Sequence, residues 1–238
     1  MRSALMSLGR RFRRQSVPVH PFDVKHGTDT GGLIPGSELG VGHRNDLFIA
    51  GYAGVPPSGF RGAISRWQGT GLRYRIEDYT FLDLGCGKGR AVLLASEVGF
   101  REVVGVELNA GLAEIARANA EIWTAAGKAK SPIRIECKDA TEVEWPSGPC
   151  LGYMYNPFAE PVMLAVVEAM RRRFGDRGDE LEIVYQKPEQ ATSLENDFEM
   201  VWGGVCELSE EDRISDPVAD PRDETRVYRW KMVQGKTI

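Results

Sequence analysis

The ten residues Phe81-Leu82-Asp83-Leu84-Gly85-Cys86-Gly87-Lys88-Gly89-Arg90 limit what this chain can fold into more than any other stretch. A short apolar run enters three glycines at alternate positions, and a second apolar run (Ala91 to Ala95) leaves them. The pattern predicts a strand, a tight turn and a helix N-terminus. Glycine at such a turn lets the backbone approach a ligand closely. Two kinds of ligand suit it. A dinucleotide site usually shows G-x-G-x-x-G, with the pyrophosphate on the helix N-terminus. Here the spacing is G-x-G-x-G, and Asp83 stands two residues before the first glycine. A carboxylate there faces a diphosphate unfavourably and suits a cationic ligand.

The stretch Asp83-Leu84-Gly85-Cys86-Gly87-Lys88-Gly89 matches every fixed position of D/E-x-G-x-G-x-G. It resembles the first motif of the class I S-adenosylmethionine-dependent methyltransferases. The resemblance implies S-adenosyl-L-methionine as cofactor, an ammonium and a sulfonium in one ligand. It also implies a doubly wound α/β fold with a mostly parallel seven-stranded sheet and a C-terminal antiparallel hairpin.

The rest of the chain reads consistently with that fold. Strands are predicted at 79–84, 102–108, 133–137, 151–155 and 181–186, with helices at 89–98, 111–126 and 161–174. This alternation predicts a parallel sheet wrapped by helices. Two further runs, 198–208 and 225–233, read as strands with no helix between them. The acidic linker 209–224 reads as a solvated loop. Ahead of the sheet, 60–74 predicts a helix in which Trp67 is a core residue. Residues 16–60 are rich in Gly, Pro, Asp and His without periodicity, which predicts irregular backbone. A lid over the site and a structural wrapping are both readings of that segment. Its Tyr52 to Ser58 stretch resembles the Tyr/Pro-Pro-Ser stretch ahead of the glycine motif in small lysine methyltransferases. The expected organisation is an N-terminal extension at 1–74 and a methyltransferase domain at 75–238.

Composition narrows the classes. The chain has 238 residues, 42% apolar and 27% charged, as a soluble globular protein does. A net charge of −4 argues against a general nucleic-acid binder. Residues 1–15 carry five arginines and no acid, with Leu5, Met6, Leu8 and Phe12 interleaved. That segment is either a solvated tail or a peripheral contact with an anionic membrane. No run is long enough for a transmembrane segment. The four cysteines form no C-x-x-C pair and read as buried reduced thiols, which suits a cytoplasmic location. His20, His26 and His43 lack metal-ligand spacing, so no metal site is expected.

Polar residues at strand ends are the candidate site, because ligands of open α/β sheets lie there. Glu107, 24 residues after Asp83, is placed to accept from ribose hydroxyls. The resemblance assigns cofactor contacts to Asp83, Gly85, Cys86, Gly87, Gly89, Glu107 and Leu108, to Asp139 and Ala140 at the adenine, and to Asn156. By chemistry alone Asp139 is equally a turn residue. Tyr155-Asn156-Pro157-Phe158 resembles the (N/D)-P-P-(Y/F) motif of nitrogen-modifying methyltransferases, with one proline instead of two. That resemblance implies a nitrogen acceptor, a protein lysine or small amine, with Asn156, Tyr155 and Phe158 as catalytic candidates. The loop around Asp29 or Tyr52 is a further candidate for orienting the acceptor. Lys88 and Arg90 oppose the dipole of the helix they begin; they reach either the cofactor carboxylate or a substrate acid, or else water, which is the expected environment. The competing readings are a non-catalytic adenosine-binding partner subunit and an NAD-dependent oxidoreductase.

Overall fold

A computed structural model describes residues 19–216 and 219–231, and the basic segment 1–15 lies outside them. The described chain opens with α1 (Pro21–His26), β1 (Leu33–Ile34), β2 (Tyr52–Ala53) and α2 (Pro57–Gly69). There follow β3 (Thr80–Leu84), α3 (Arg90–Ser96), β4 (Glu102–Glu107), α4 (Ala110–Ala125) and β5 (Ile133–Cys137). Then come β6 (Cys150–Tyr155), α5 (Glu160–Phe174) and β7 (Leu181–Gln186). The last elements are β8 (Phe198–Val205), α6 (Glu210–Ser215) and β9 (Glu224–Trp230).

The main sheet has seven strands in the order β5-β4-β3-β6-β7-β9-β8. β3 to β7 run parallel, and β9 lies antiparallel to both β7 and β8. The chain leaves β3 toward β5 on one side and returns to β6 on the other. The switch point therefore falls between β3 and β6, where a ligand crevice forms.

Alternate residues of each strand feed opposite faces. Phe81 and Tyr153 pack with Phe60, Trp67, Val92 and Trp123 on the face covered by α2, α3 and α4. Leu82, Leu84 and Met154 pack with Met163, Val167 and Phe174 of α5 on the other. Both faces of β3 are buried, which explains why Phe81, Leu82 and Leu84 supply apolar side chains to both and leaves Asp83 as its buried charged exception. Phe22, Val55 and Phe60 share the first core with Phe81, so the segment ahead of the sheet is built into it. Trp67 is fully buried there.

Two expectations are corrected. The 209–224 linker is not a plain solvated loop, since α6 lies within it, capped by Ser209 accepting from the Asp212 N–H. Its Asp212 and Asp216 are buried. The strand expected at 198–208 ends at Val205; β9 covers Glu224–Trp230, and residues 232–233 of the strand expected at 225–233 lie outside the described residues. Cys86, Cys150 and Cys206 are buried, whereas Cys137 is exposed. Among the described residues, no helix is long and apolar enough to cross a membrane.

Candidate active site

A cavity of about 310 Å³ opens at the carboxyl ends of the parallel strands. Asp83, Gly85, Cys86, Glu107, Leu108, Asp139, Ala140, Tyr155, Asn156 and Phe158 all line it. Gly87 and Gly89 do not, and for a physical reason. The three motif glycines have φ of +83°, +53° and +86°. At Gly87 a Cβ would collide with the Tyr52 ring, and at Gly89 it would stand 3.2 Å from Ala116 Cβ. At Gly85 it would stand 2.6 Å from Pro157 Cβ. These glycines admit the roof, a helix and the β6 end respectively, and only Gly85 borders the cavity.

Asp83 is 3% exposed, and no hydrogen bond reaches its carboxyl among the described residues. Burial and the nearby Glu107 push its pKa well above the usual carboxylate range. Glu107 is better satisfied. It accepts the Gly87 and Asn109 N–H groups, each at 2.8 Å. Burial raises its pKa, and those backbone donors oppose the rise. Burial also pushes the pKa of the Cys86 thiol up, which favours its protonated form.

Asp139 does cap a turn, accepting the Thr141 N–H at 2.9 Å. Its other oxygen accepts from Asn45 Nδ2 at 2.8 Å, and His43 Nε2 stands 3.6 Å away. The turn reading and the cavity reading therefore coexist at one residue.

Asn156 follows β6 with φ +44°, and Lys187 follows β7 with φ +49°. Tyr155 pairs with Gln186, so these two left-handed residues are neighbours at adjoining strand ends. They are the only non-glycine positive-φ residues among those described, and such strain concentrates at functional sites. Lys187 lines the cavity, holds Asp223 at 2.8 Å and lies 5.4 Å above the Tyr155 ring. The Tyr155 hydroxyl is buried without a hydrogen-bond partner, and burial raises its pKa. The Asn156 Oδ1 has only a long contact, 3.5 Å, from the Tyr185 hydroxyl. The Pro157 carbonyl accepts the Ala50 N–H at 3.1 Å, so one of its lone pairs is already taken.

The roof comes from residues 33–55, including Leu39, Asn45, Phe48 and Tyr52. It is held down at Pro157 and by Ala159 N–H donating to the Phe48 carbonyl at 2.9 Å. Asn45, Phe48, Lys187 and Glu189 were not legible as site residues, because only long-range pairing brings them to the cavity. The single available signal was the turn-rich composition of 16–60. Of the proposed orienting loop, Tyr52 reaches the cavity, but its hydroxyl is committed to the Thr30 carbonyl at 2.6 Å. Asp29 does not line the cavity and holds Lys88 at 2.7 Å.

Lys88 and Arg90 are not solvated. Arg90 is 1% exposed, bonded to Thr30 Oγ1 at 2.8 Å and paired with Asp216 at 3.1 Å. Lys88 also donates to the Gly31 carbonyl at 2.9 Å. Together they strap the N-terminal segment and the α6 region to the glycine turn. His20 Nε2 stands 3.2 Å from Asp216 and 4.0 Å from Asp212, a spacing that imitates a ligand set. However, its Nδ1 accepts the Phe22 N–H at 3.1 Å. That leaves Nε2 on the carboxylate side, without a hydrogen-bond partner of its own among the described residues. Asp212 further accepts from the Ser58 N–H at 2.6 Å, and Asp216 from Arg90. The cluster is an ionic clasp by its bonding.

Residues 81–157 match the family described as "Methyltransferase domain". A protein described as a class I S-adenosylmethionine-dependent methyltransferase from Listeria monocytogenes is similar in fold. Its TM-score is 0.50 at 12% identity, over 74% of this chain and 61% of that one. A ribosomal protein L11 methylase from Lactobacillus delbrueckii subsp. bulgaricus gives 0.49 at 13% identity, over 73% and 79%. The tRNA m1G37 methyltransferase of M. jannaschii gives 0.47 at 11%, over 76% and 51%. No curated protein matches the chain. The match over residues 81–157, the sheet order and the reversed β9 together give the described chain the fold of the class I S-adenosylmethionine-dependent methyltransferases. S-adenosyl-L-methionine is the cofactor of that class.

Proposed function

We propose that the cavity holds S-adenosyl-L-methionine and that the chain transfers its methyl group to a nitrogen acceptor, a protein lysine or a small amine. The observation that carries the first part is Asp83. It is a buried carboxyl without a hydrogen-bond donor, beside a second carboxyl, at the wall of the cavity. A phosphate chain there would add like charge, whereas a cationic ligand supplies the missing partner. In this reading Asp83 faces the amino end of the cofactor and Glu107 its ribose. Asp139 and Ala140 face the adenine, and the backbone at Gly85, Cys86 and Leu108 completes the wall. When bound, the cofactor supplies a methyl already activated by positive sulfur.

The acceptor end is read from β6. Tyr155 and Asn156 offer the cavity a hydroxyl without a partner and a weakly held amide oxygen. Both accept from an N–H, which turns a nitrogen lone pair toward the methyl group. Phe158 packs at the same end. A cavity of about 310 Å³ is at the small end of ligand sites, roughly 300–1,000 Å³. Positioning of this kind contributes about 7–11 kcal/mol to a transfer, and no general base is required if the amine arrives neutral. Mass spectrometry of lysine-containing proteins and small amines, with S-adenosylhomocysteine as co-product, tests the assignment. Asn156→Ala is expected to slow transfer at saturating cofactor by about 10–100-fold, roughly 1.4–2.7 kcal/mol. Transfer at undiminished rate in that variant contradicts the assigned role, and methylation only of oxygen or carbon contradicts the nitrogen acceptor.

A further inference from the structure

We propose that Asn45, on the roof, is an adenine-reading residue of the cofactor site and works as a unit with Asp139. The proposal rests on the cofactor reading above and adds a residue to it from outside the sheet. Asn45 and Asp139 line the same cavity. A carboxylate only accepts hydrogen bonds, so Asp139 fixes the Asn45 amide with its NH₂ side toward Asp139, at 2.8 Å. That pin prevents the amide from turning over. It leaves the Asn45 Oδ1 and one N–H without a hydrogen bond among the described residues. An acceptor and a donor side by side in one plane match the adenine edge, where an amino donor adjoins a ring-nitrogen acceptor. The hypoxanthine edge places an oxygen where adenine has its amino group, so the pinned amide opposes it.

The loop is also built to hold this side chain still. Asp46 Oδ2 accepts the N–H groups of Val41, Gly42 and His43 at 2.9, 2.7 and 3.0 Å. The Asn45 N–H donates to His43 Nδ1 at 3.2 Å, and its carbonyl accepts the Phe48 N–H at 2.9 Å. Recognition of the base and seating of the roof become one event.

The test uses the full chain and calorimetry with S-adenosylhomocysteine and S-inosylhomocysteine. Wild type is expected to prefer the adenosyl compound. Asn45→Ala is expected to shrink that preference by about tenfold or more. His43→Asn keeps an acceptor near the Asn45 N–H but removes the second roof contact to Asp139, and it is expected to hold the preference within about twofold. Unfolding curves confirm that each variant is folded. Equal weakening of both ligands in Asn45→Ala, with the preference intact, overturns the proposal. So does an equal loss of preference in His43→Asn, which would assign the effect to the placement of Asp139. Binding of neither ligand by wild type defeats the cofactor reading itself, a separate result.

Discussion

At Asp83 stability and the proposed cofactor binding pull in opposite directions. Its carboxyl is buried beside Glu107 without a donor, so ionising it costs the folded chain free energy. Its folded pKa lies above the unfolded value, near 3.9. The favourable contribution is therefore complete below that unfolded value and is lost as pH rises through the raised one. Asp83→Asn is expected to raise the melting temperature of the ligand-free chain at neutral pH and to flatten its pH dependence. Melting curves from acid to neutral pH check both, and a lowered melting temperature contradicts them. A cationic ligand favours the ionised form, so wild-type affinity for S-adenosyl-L-methionine should rise with pH over the same window. Gly87 makes a second case. With φ +53° and the Tyr52 ring against it, Gly87→Ala should cost about 1–3 kcal/mol, read by chemical denaturation. An unchanged midpoint would show that the ring moves freely.

The elements divide into those whose position is written in local pattern and those placed by distant partners. β5 and β7 fall on the residues expected from apolar runs, and α5 begins one residue before its expected start. β3 and β6 shift by a residue at one end. Their cores depend on alternation within a few residues, which a chain displays directly. The helix α6 does not. It is six residues long and acidic, without an apolar face to announce it. What holds it is Asp212 accepting from Ser58 at the start of α2, a partner 154 residues away. Asp212→Ala should therefore cost about 1–3 kcal/mol, because a buried N–H loses its acceptor. A thermal shift within error of wild type would show α6 to be dispensable. The ends of β6 and β7 follow the same division. The Asn156-Pro157 turn is visible in the sequence. The left-handed Lys187 beside it is not, since nothing in Gln186-Lys187-Pro188 requires positive φ.

Across the whole molecule, residues 20–55 do two jobs with different partners. Residues 20–31, with Tyr52 and Val55, are fastened to the glycine turn through Lys88 and Arg90. Between those anchors, residues 33–51 cover the cavity and touch the strand ends at Asp139 and Pro157. Charge at Lys88 and Arg90 was visible in the sequence, but its burial was not, because every neutralising carboxylate is distant in the chain. The strand-end carboxylates and the first motif glycine were legible because sheet topology alone delivers them to one crevice. If the roof seats on the cofactor, amides of Phe48 to Tyr52 should exchange about tenfold more slowly with S-adenosylhomocysteine present. Unchanged exchange would make this segment a fixed wall. That the cavity is made for positive sulfur is tested most directly by calorimetry of the full chain with S-adenosyl-L-methionine and with NAD. One S-adenosyl-L-methionine per chain is expected, weakened about tenfold or more by Asp83→Asn, with no heat from NAD. Binding of NAD in its place, or affinity for S-adenosyl-L-methionine unchanged in that variant, would contradict it.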